Sequence, residues 1–183
     1  MKNAPKRMLI ELPTADEIDA LALTTPHIEV RKFDFDMKGM KADLNYVPCK
    51  GQLVLVISGE NGVLLTKKKG GAWSLPSGRI GTSEDPVKAA KRIAKEECGI
   101  GLKSVVLAGM YDVVWHYSDV SVKRLHLIYA ALTDDCECVP GEAGGATQAR
   151  FFTSIPDEFA KDEILACAMS DCIGSVALSG GDI

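Results

Sequence analysis

Apolar and polar positions along this chain recur with two different periods, and the changes of period mark its elements. Residues 52–58 (Gln-Leu-Val-Leu-Val-Ile-Ser) carry an almost continuous apolar run between Gly51 and Gly59, which suits a strand buried on both faces. Glu60-Asn61-Gly62 is a turn signal, and residues 63–66 resume as a second strand. Residues 27–35 are rich in branched and aromatic side chains and read as a strand. So do residues 104–109 and 110–115, with a turn at 116–119 and a returning strand over 120–132. Residues 148–152 form a closing strand.

Between these strands the period changes to that of a helix. Val87, Ala90, Ala94 and Cys98 make one apolar stripe, with Asp85 as N-cap, Pro86 at the first helical position and Gly99 as C-cap. Ser154-Ile-Pro-Asp157 starts a last helix that packs through Phe159, Leu165, Ala166 and Met169. Near the start, Thr14-Ala-Asp-Glu17 is a capping-box pattern followed by Ile18 and Leu21, and Pro26 ends it. The expected organisation is an N-terminal helical extension over 1–26 and one domain over 27–183. Strands interleaved with helices in this order predict a mixed β-sheet between helices, an α/β/α sandwich.

Composition narrows the class. The chain has 183 residues, 46% hydrophobic and 25% charged, ordinary for a soluble globular domain. A formal net charge of −4 makes a general nucleic-acid partner unexpected. No run reaches the roughly 18 apolar residues of a membrane span, and Met1-Lys-Asn-Ala-Pro5 lacks the apolar core of a signal peptide, so no membrane association and a cytoplasmic location are expected. The six cysteines lack the Cys-x2-Cys spacing of structural zinc and read as buried reduced thiols. The alternative is zinc held by Cys136, Cys138 and His126.

The chemistry concentrates on the central helix. Arg92, Glu96 and Glu97 point away from its apolar stripe, at about 100° per residue. Two adjacent carboxylates at a helix C-terminal end oppose the helix dipole, and a divalent cation would offset that crowding. Alone, such a pair reads as a solvated acidic face. The spacing adds to it: Gly78-x5-Glu84-x7-Arg92-x3-Glu96-Glu97-x-Gly99-Ile100 resembles the signature box of the Nudix hydrolases. The lead-in Trp73-Ser-Leu75-Pro76-Ser77-Gly78-Arg79 is similar to the family's Leu-Pro-Gly-Gly, with Ser77 in place of the first glycine. Gln148-Ala-Arg150-Phe151-Phe152 resembles the family's Arg-Trp-Phe segment.

The resemblance, covering about residues 50–170 with its box at 78–100, implies a Nudix-type sandwich and a definite chemistry. It implies hydrolysis of a nucleoside diphosphate linked to another group, with Mg²⁺ or Mn²⁺ held by Glu96, Glu97 and the Ser77 carbonyl. Arg92 would orient the glutamates, while Gly78, Glu84 and Gly99 would hold the box loop and helix in shape. One position departs. The glutamate expected after Arg92 is Ile93, about 120° from the centre of the apolar stripe and on the side of Glu97. An aliphatic group therefore projects where the family places a charge. A base must then come from outside the box, and Glu142, in the polar glycine-rich loop 133–147, is the best-placed carboxylate.

Arg79 and Lys67 are candidates for phosphate contacts, and Trp73 and Tyr117, with Trp115, for stacking on a base, each equally explained as a surface side chain. The expected partner is a small-molecule nucleoside diphosphate derivative, and a homodimer is the common outcome for a soluble enzyme. The runner-up is a nucleotide-binding or regulatory protein whose catalysis left with the glutamate. The group linked to the diphosphate is not written in the sequence.

Overall fold

A computed structural model of the protein describes residues 7–11, 28, 30–42 and 49–179. Among the described residues nine strands form one mixed sheet: β1 (Arg7–Glu11), β2 (Val30–Asp36), β3 (Gly51–Gly59), β4 (Gly62–Lys68), β5 (Trp73–Ser74), β6 (Ser77–Ile80), β7 (Ser104–His116), β8 (Val120–Leu132) and β9 (Ala146–Phe152). Helix α1 is Pro86–Cys98, and helix α2 is Glu163–Ser179 after a 3₁₀ turn at Phe159–Lys161.

The long strands set the frame. β7 and β8 pair antiparallel from Ser104↔Leu132 to His116↔Ser121, with a bulge between Leu107 and Gly109. β2 adds parallel to β7, and β3 adds parallel to β8. β3 meets β4 only at Ser58↔Val63 and Gly59↔Gly62. Beyond that hairpin the two diverge: β3 takes β6 as its antiparallel partner, and β4 takes β9 and β5. Gly62 must be glycine on two counts. Its φ is 108°, and a Cβ would lie 2.2 Å from the Phe152 carbonyl oxygen.

Strand alternation sorts the core into two layers. Leu53, Leu55 and Ile57 pack under α1 with Leu125, Leu127 and Tyr129, and desolvation raises the Tyr129 phenol to about 12. Val54 and Val56 pack on the other face with Tyr111, Val113, Ile128 and the α2 residues Ala168 and Cys172. The burial of β3 on both faces follows its unbroken apolar run. The α/β/α sandwich with a mixed sheet is present as expected.

Four particulars differ from the sequence reading. Residues 7–11 form a strand parallel to β8 at Val120–Arg124, so the start of the chain contributes to the sheet; the helix expected after Thr14 lies outside the described residues. The last helix begins at Glu163, not near Asp157, because Asp162 supplies its cap: Leu165 N–H donates to Asp162 Oδ1 and Ala166 N–H to the Asp162 carbonyl. Of its expected packing face, Phe159 is buried and Leu165 and Met169 pack against the same core, joined by the buried Ala168 and Cys172. Not every cysteine is buried either: Cys136 is exposed and Cys138 half-buried. His126 lines a cavity on the α2 side of the sheet while Cys138 packs on the α1 side, so the Cys136–Cys138–His126 set is not assembled.

Candidate active site

Helix α1 is fixed at both ends by local chemistry. Asp85 Oδ1 accepts from the N–H groups of Val87 and Lys88 at 3.0 Å each, and Pro86 occupies the first position. At the other end Gly99 has φ 72°, and its N–H donates to the Lys95 carbonyl at 3.0 Å. Gly99 is required a second time by packing, since a Cβ there would lie 2.0 Å from the Val139 carbonyl oxygen.

The buried face of α1 is Ala89, Ala90, Ile93, Ala94 and Cys98. This corrects the expected stripe in two places. Val87 is exposed, and Ile93, expected about 120° from the centre of the stripe on the side of Glu97, is only 1% exposed. The cause is the box loop, which crosses Ile93 so closely that a Cβ on Gly78 would lie 2.9 Å from Ile93 Cγ1. Glycine at 78 and isoleucine at 93 are therefore complementary. The position after Arg92 holds a core side chain.

Arg92 ties loop to helix. Its Nε donates to Glu84 Oε1 at 2.7 Å and its Nη2 to Glu84 Oε2 at 2.9 Å, a bidentate pair. Nη2 also reaches the Arg79 carbonyl at 2.9 Å, and Nη1 reaches Glu96 Oε2 at 2.9 Å. Glu84 Oε2 accepts the Gly81 N–H as well. The Arg92 guanidinium holds the Glu84 carboxyl below the usual carboxylate range, and Glu84 in turn raises Arg92. Glu84 thus faces inward to the loop, with its oxygens occupied.

Glu97 looks elsewhere. Its Oε1 accepts the Gly145 N–H at 2.8 Å, and it lines a cavity of about 250 Å³ with Ser77, Thr66, Lys68 and Ser74. The loop carrying Glu142 is anchored on both sides of that residue: Gly141 N–H donates to the Glu96 carbonyl at 2.8 Å, and Gly145 binds Glu97. Glu142 itself is exposed. On the opposite face of the sheet lies a second cavity of about 510 Å³, lined by Phe35, Gln52, Trp115, Arg124, His126 and Asp162 among others. Ser77 borders both cavities.

The other expected residues are scattered. Trp73 packs edge-on against Phe152 at 4.9 Å, with Lys67 Nζ 5.8 Å and the Arg150 guanidinium 5.5 Å from its ring centre. Tyr117 sits in the β7–β8 turn, its N–H donating to the Val120 carbonyl. His116 is tied to Asp34 at 2.6 Å and Ser121 at 2.9 Å. Trp115 does line the second cavity, with Arg124 5.8 Å from its ring centre.

The loop, helix and acidic pair match a known sequence profile: the NUDIX domain fits residues 48–158, more than half of the chain. The chain belongs to the Nudix family. Among curated proteins none matches this sequence. Solved structures share the fold at low identity. The Bacillus subtilis pyrophosphohydrolase BsRppH superposes with a TM-score of 0.57 at 19% identity, covering 73% of this chain and 87% of that one. An ADP-ribose pyrophosphatase from Streptococcus suis gives 0.50 at 17%, covering 68% and 90%. A MutT NUDIX hydrolase from Burkholderia pseudomallei gives 0.50 at 20%, covering 66% and 95%. These likenesses establish a Nudix hydrolase fold. Among the described residues no helix is long and apolar enough to cross a membrane.

The Nudix box was readable in sequence, but several residues around it were not. Phe35, Gln52 and Arg124 come to the second cavity from other elements, and the Gly145 N–H comes to Glu97. Only strand alternation carried a trace of this: Gln52 is the polar start of an apolar run, and Arg124 and His126 alternate with Leu125 and Leu127.

Proposed function

We propose that this Nudix protein is a divalent-metal-dependent pyrophosphohydrolase acting on a nucleoside diphosphate linked to a further group. The observation that supports it best is the pair Glu96–Glu97, held by Arg92 and Gly145 beside the cavity that Ser77 also borders. Among the described residues no three of His, Cys, Asp and Glu gather as a ligand set. Two carboxylates and a carbonyl nevertheless suit Mg²⁺, which keeps several waters and binds through one or two carboxylates plus substrate phosphates. Glu96, Glu97 and the Ser77 carbonyl would hold it. When bound, the cation offsets the charge that builds on the phosphate oxygens during attack.

The protein's own groups do the rest. Arg92 keeps the glutamates oriented, and the Gly145 N–H directs one Glu97 oxygen, leaving the other for a ligand. Glu142, on the loop pinned at Gly141 and Gly145, is the proposed base that takes the proton from the attacking water. The cavity with Phe35, Trp115 and Arg124 suits a flat, electron-rich base, and its border at Ser77 joins it to the acidic pair. ADP-ribose-like compounds fit such an arrangement, the class named for the S. suis structure.

The test is product release from a panel of nucleoside diphosphate derivatives with Mg²⁺, Mn²⁺ and chelator. Metal-dependent turnover is expected, with Glu97→Gln lowering kcat about a hundredfold or more. Glu142→Gln should lower it by about a hundredfold. One observation favours a second reading, a nucleotide-binding role: Ile93 is a core residue against Gly78, so no carboxylate stands after Arg92. Tight nucleotide binding without turnover would support it.

A further inference from the structure

Adjacent lysines at the end of β4 go to opposite sides of the sheet. Lys67 lies over Trp73, which packs with the α2-side core. Lys68, across a bulge in the β4–β9 pairing, lines the 250 Å³ cavity with Glu97. Lys68 and Glu97 are the charged side chains of that lining, one from a strand and one from α1.

They converge on a single backbone point. A Cβ built on Gly145 would lie 3.2 Å from Lys68 Cε, 3.4 Å from Lys68 Nζ and 3.8 Å from Glu97 Oε1. The Gly145 N–H is itself bonded to that Glu97 oxygen. Because residue 145 has no side chain, the ammonium can lie along the loop and reach the cavity beside the carboxylate. Gly144 fixes the same loop against α1, since a Cβ there would lie 2.3 Å from the Glu96 carbonyl oxygen.

The charge balance gives this placement a use. A diphosphate brings more than one negative charge into a cavity that already contains Glu97, and Ile93 contributes no carboxylate with which to recruit further metal charge. A lysine is a compact point charge with three donors, suited to phosphate oxygens. We infer that Lys68 is a phosphate-binding residue of this site, holding a diphosphate oxygen beside Glu97. The inference rests on the proposal that the Glu97 cavity takes a nucleoside diphosphate.

The experiment is calorimetric binding of α,β-methylene adenosine diphosphate, which resists hydrolysis, to the full chain in Mg²⁺. Turnover of the panel above is measured in parallel. Lys68→Met should weaken binding about tenfold or more, and Lys68→Gln similarly. Lys68→Arg should recover to within about threefold, because the charge and donors return. Lys91→Met, which removes an exposed lysine from α1, should bind like the natural protein. Melting temperatures of all variants are compared so that a packing defect in one is recognised against the others.

Unchanged affinity in both Lys68→Met and Lys68→Gln would overturn the inference, as would failure of the natural protein to bind the analogue. The hydrolase reading fails separately. Lys68-dependent binding with no turnover of any substrate would retain this inference and discard hydrolysis. Turnover and binding indifferent to Lys68 would do the reverse.

Discussion

Ile93 and Arg92 are neighbours in sequence with opposite fates. Ile93 enters the core beneath Gly78, while Arg92 spreads its guanidinium over Glu84, Glu96 and the Arg79 carbonyl. Restoring a glutamate by Ile93→Glu should therefore bury a carboxylate among Leu53, Leu55 and Ile80. Denaturant unfolding in chelator should show a loss of about 3 kcal/mol; an unchanged midpoint would mean the side chain escapes to the acidic pair. Arg92→Lys keeps the charge but not the fork, and should cost about 1–2 kcal/mol, allowing for partial exposure. Acid acts on the same knot. Glu84 has its folded pKa depressed below 4.5, chiefly by the Arg92 hydrogen bond. Its contribution is present above that ordinary value and is lost as pH falls through the lower folded value. The stability gap between the natural protein and Glu84→Gln, read by urea midpoints from neutral to acid pH, should close on acidification. A gap that widens in acid would contradict the assignment.

At the scale of elements, the site is a helix end clasped by a glycine-rich loop. Gly144→Ala would force a Cβ to within 2.3 Å of the Glu96 carbonyl oxygen and should lift the loop from α1. The expected readout is faster hydrogen exchange at the Gly141 and Gly145 amides with turnover down about tenfold; protected amides would argue against the clasp. Helix α1 was legible because its signals are local: Asp85, Pro86 and Gly99 lie within a turn of the ends they cap. The burial of Ile93 was not, because it depends on the loop at Gly78 crossing the helix. The short β5 and β6, two and four residues long and split by Leu75 and Pro76, carry too little alternation to read, and β6 pairs not with its neighbour but with β3. The start of α2 was misplaced because Asp157 and Asp162 are both plausible caps by type, and packing selects Asp162. Lys67, expected at the phosphates, lies over Trp73 while Lys68 reaches the Glu97 cavity, because the side of a strand that a lysine takes near a bulge is set by its partner strand.

For the whole molecule, the sheet separates two tasks. The α1 face presents the carboxylates, and the α2 face presents an aromatic cavity, with Ser77 at the border of both. A ligand spanning that border would place its diphosphate at Glu97 and its base near Trp115. Trp115→Ala should then raise KM for nucleotide substrates about tenfold with little change in kcat, as expected for a contact kept through the reaction. Equal effects on inorganic pyrophosphate would contradict the base assignment. The most direct measurement is release of nucleoside monophosphate from a nucleoside diphosphate derivative by the natural protein and by Glu97→Gln, each with Mg²⁺ and with chelator. Turnover by the natural protein in Mg²⁺, abolished by chelator and reduced about a hundredfold or more in Glu97→Gln, is the predicted result. Turnover that survives both chelator and Glu97→Gln would contradict it.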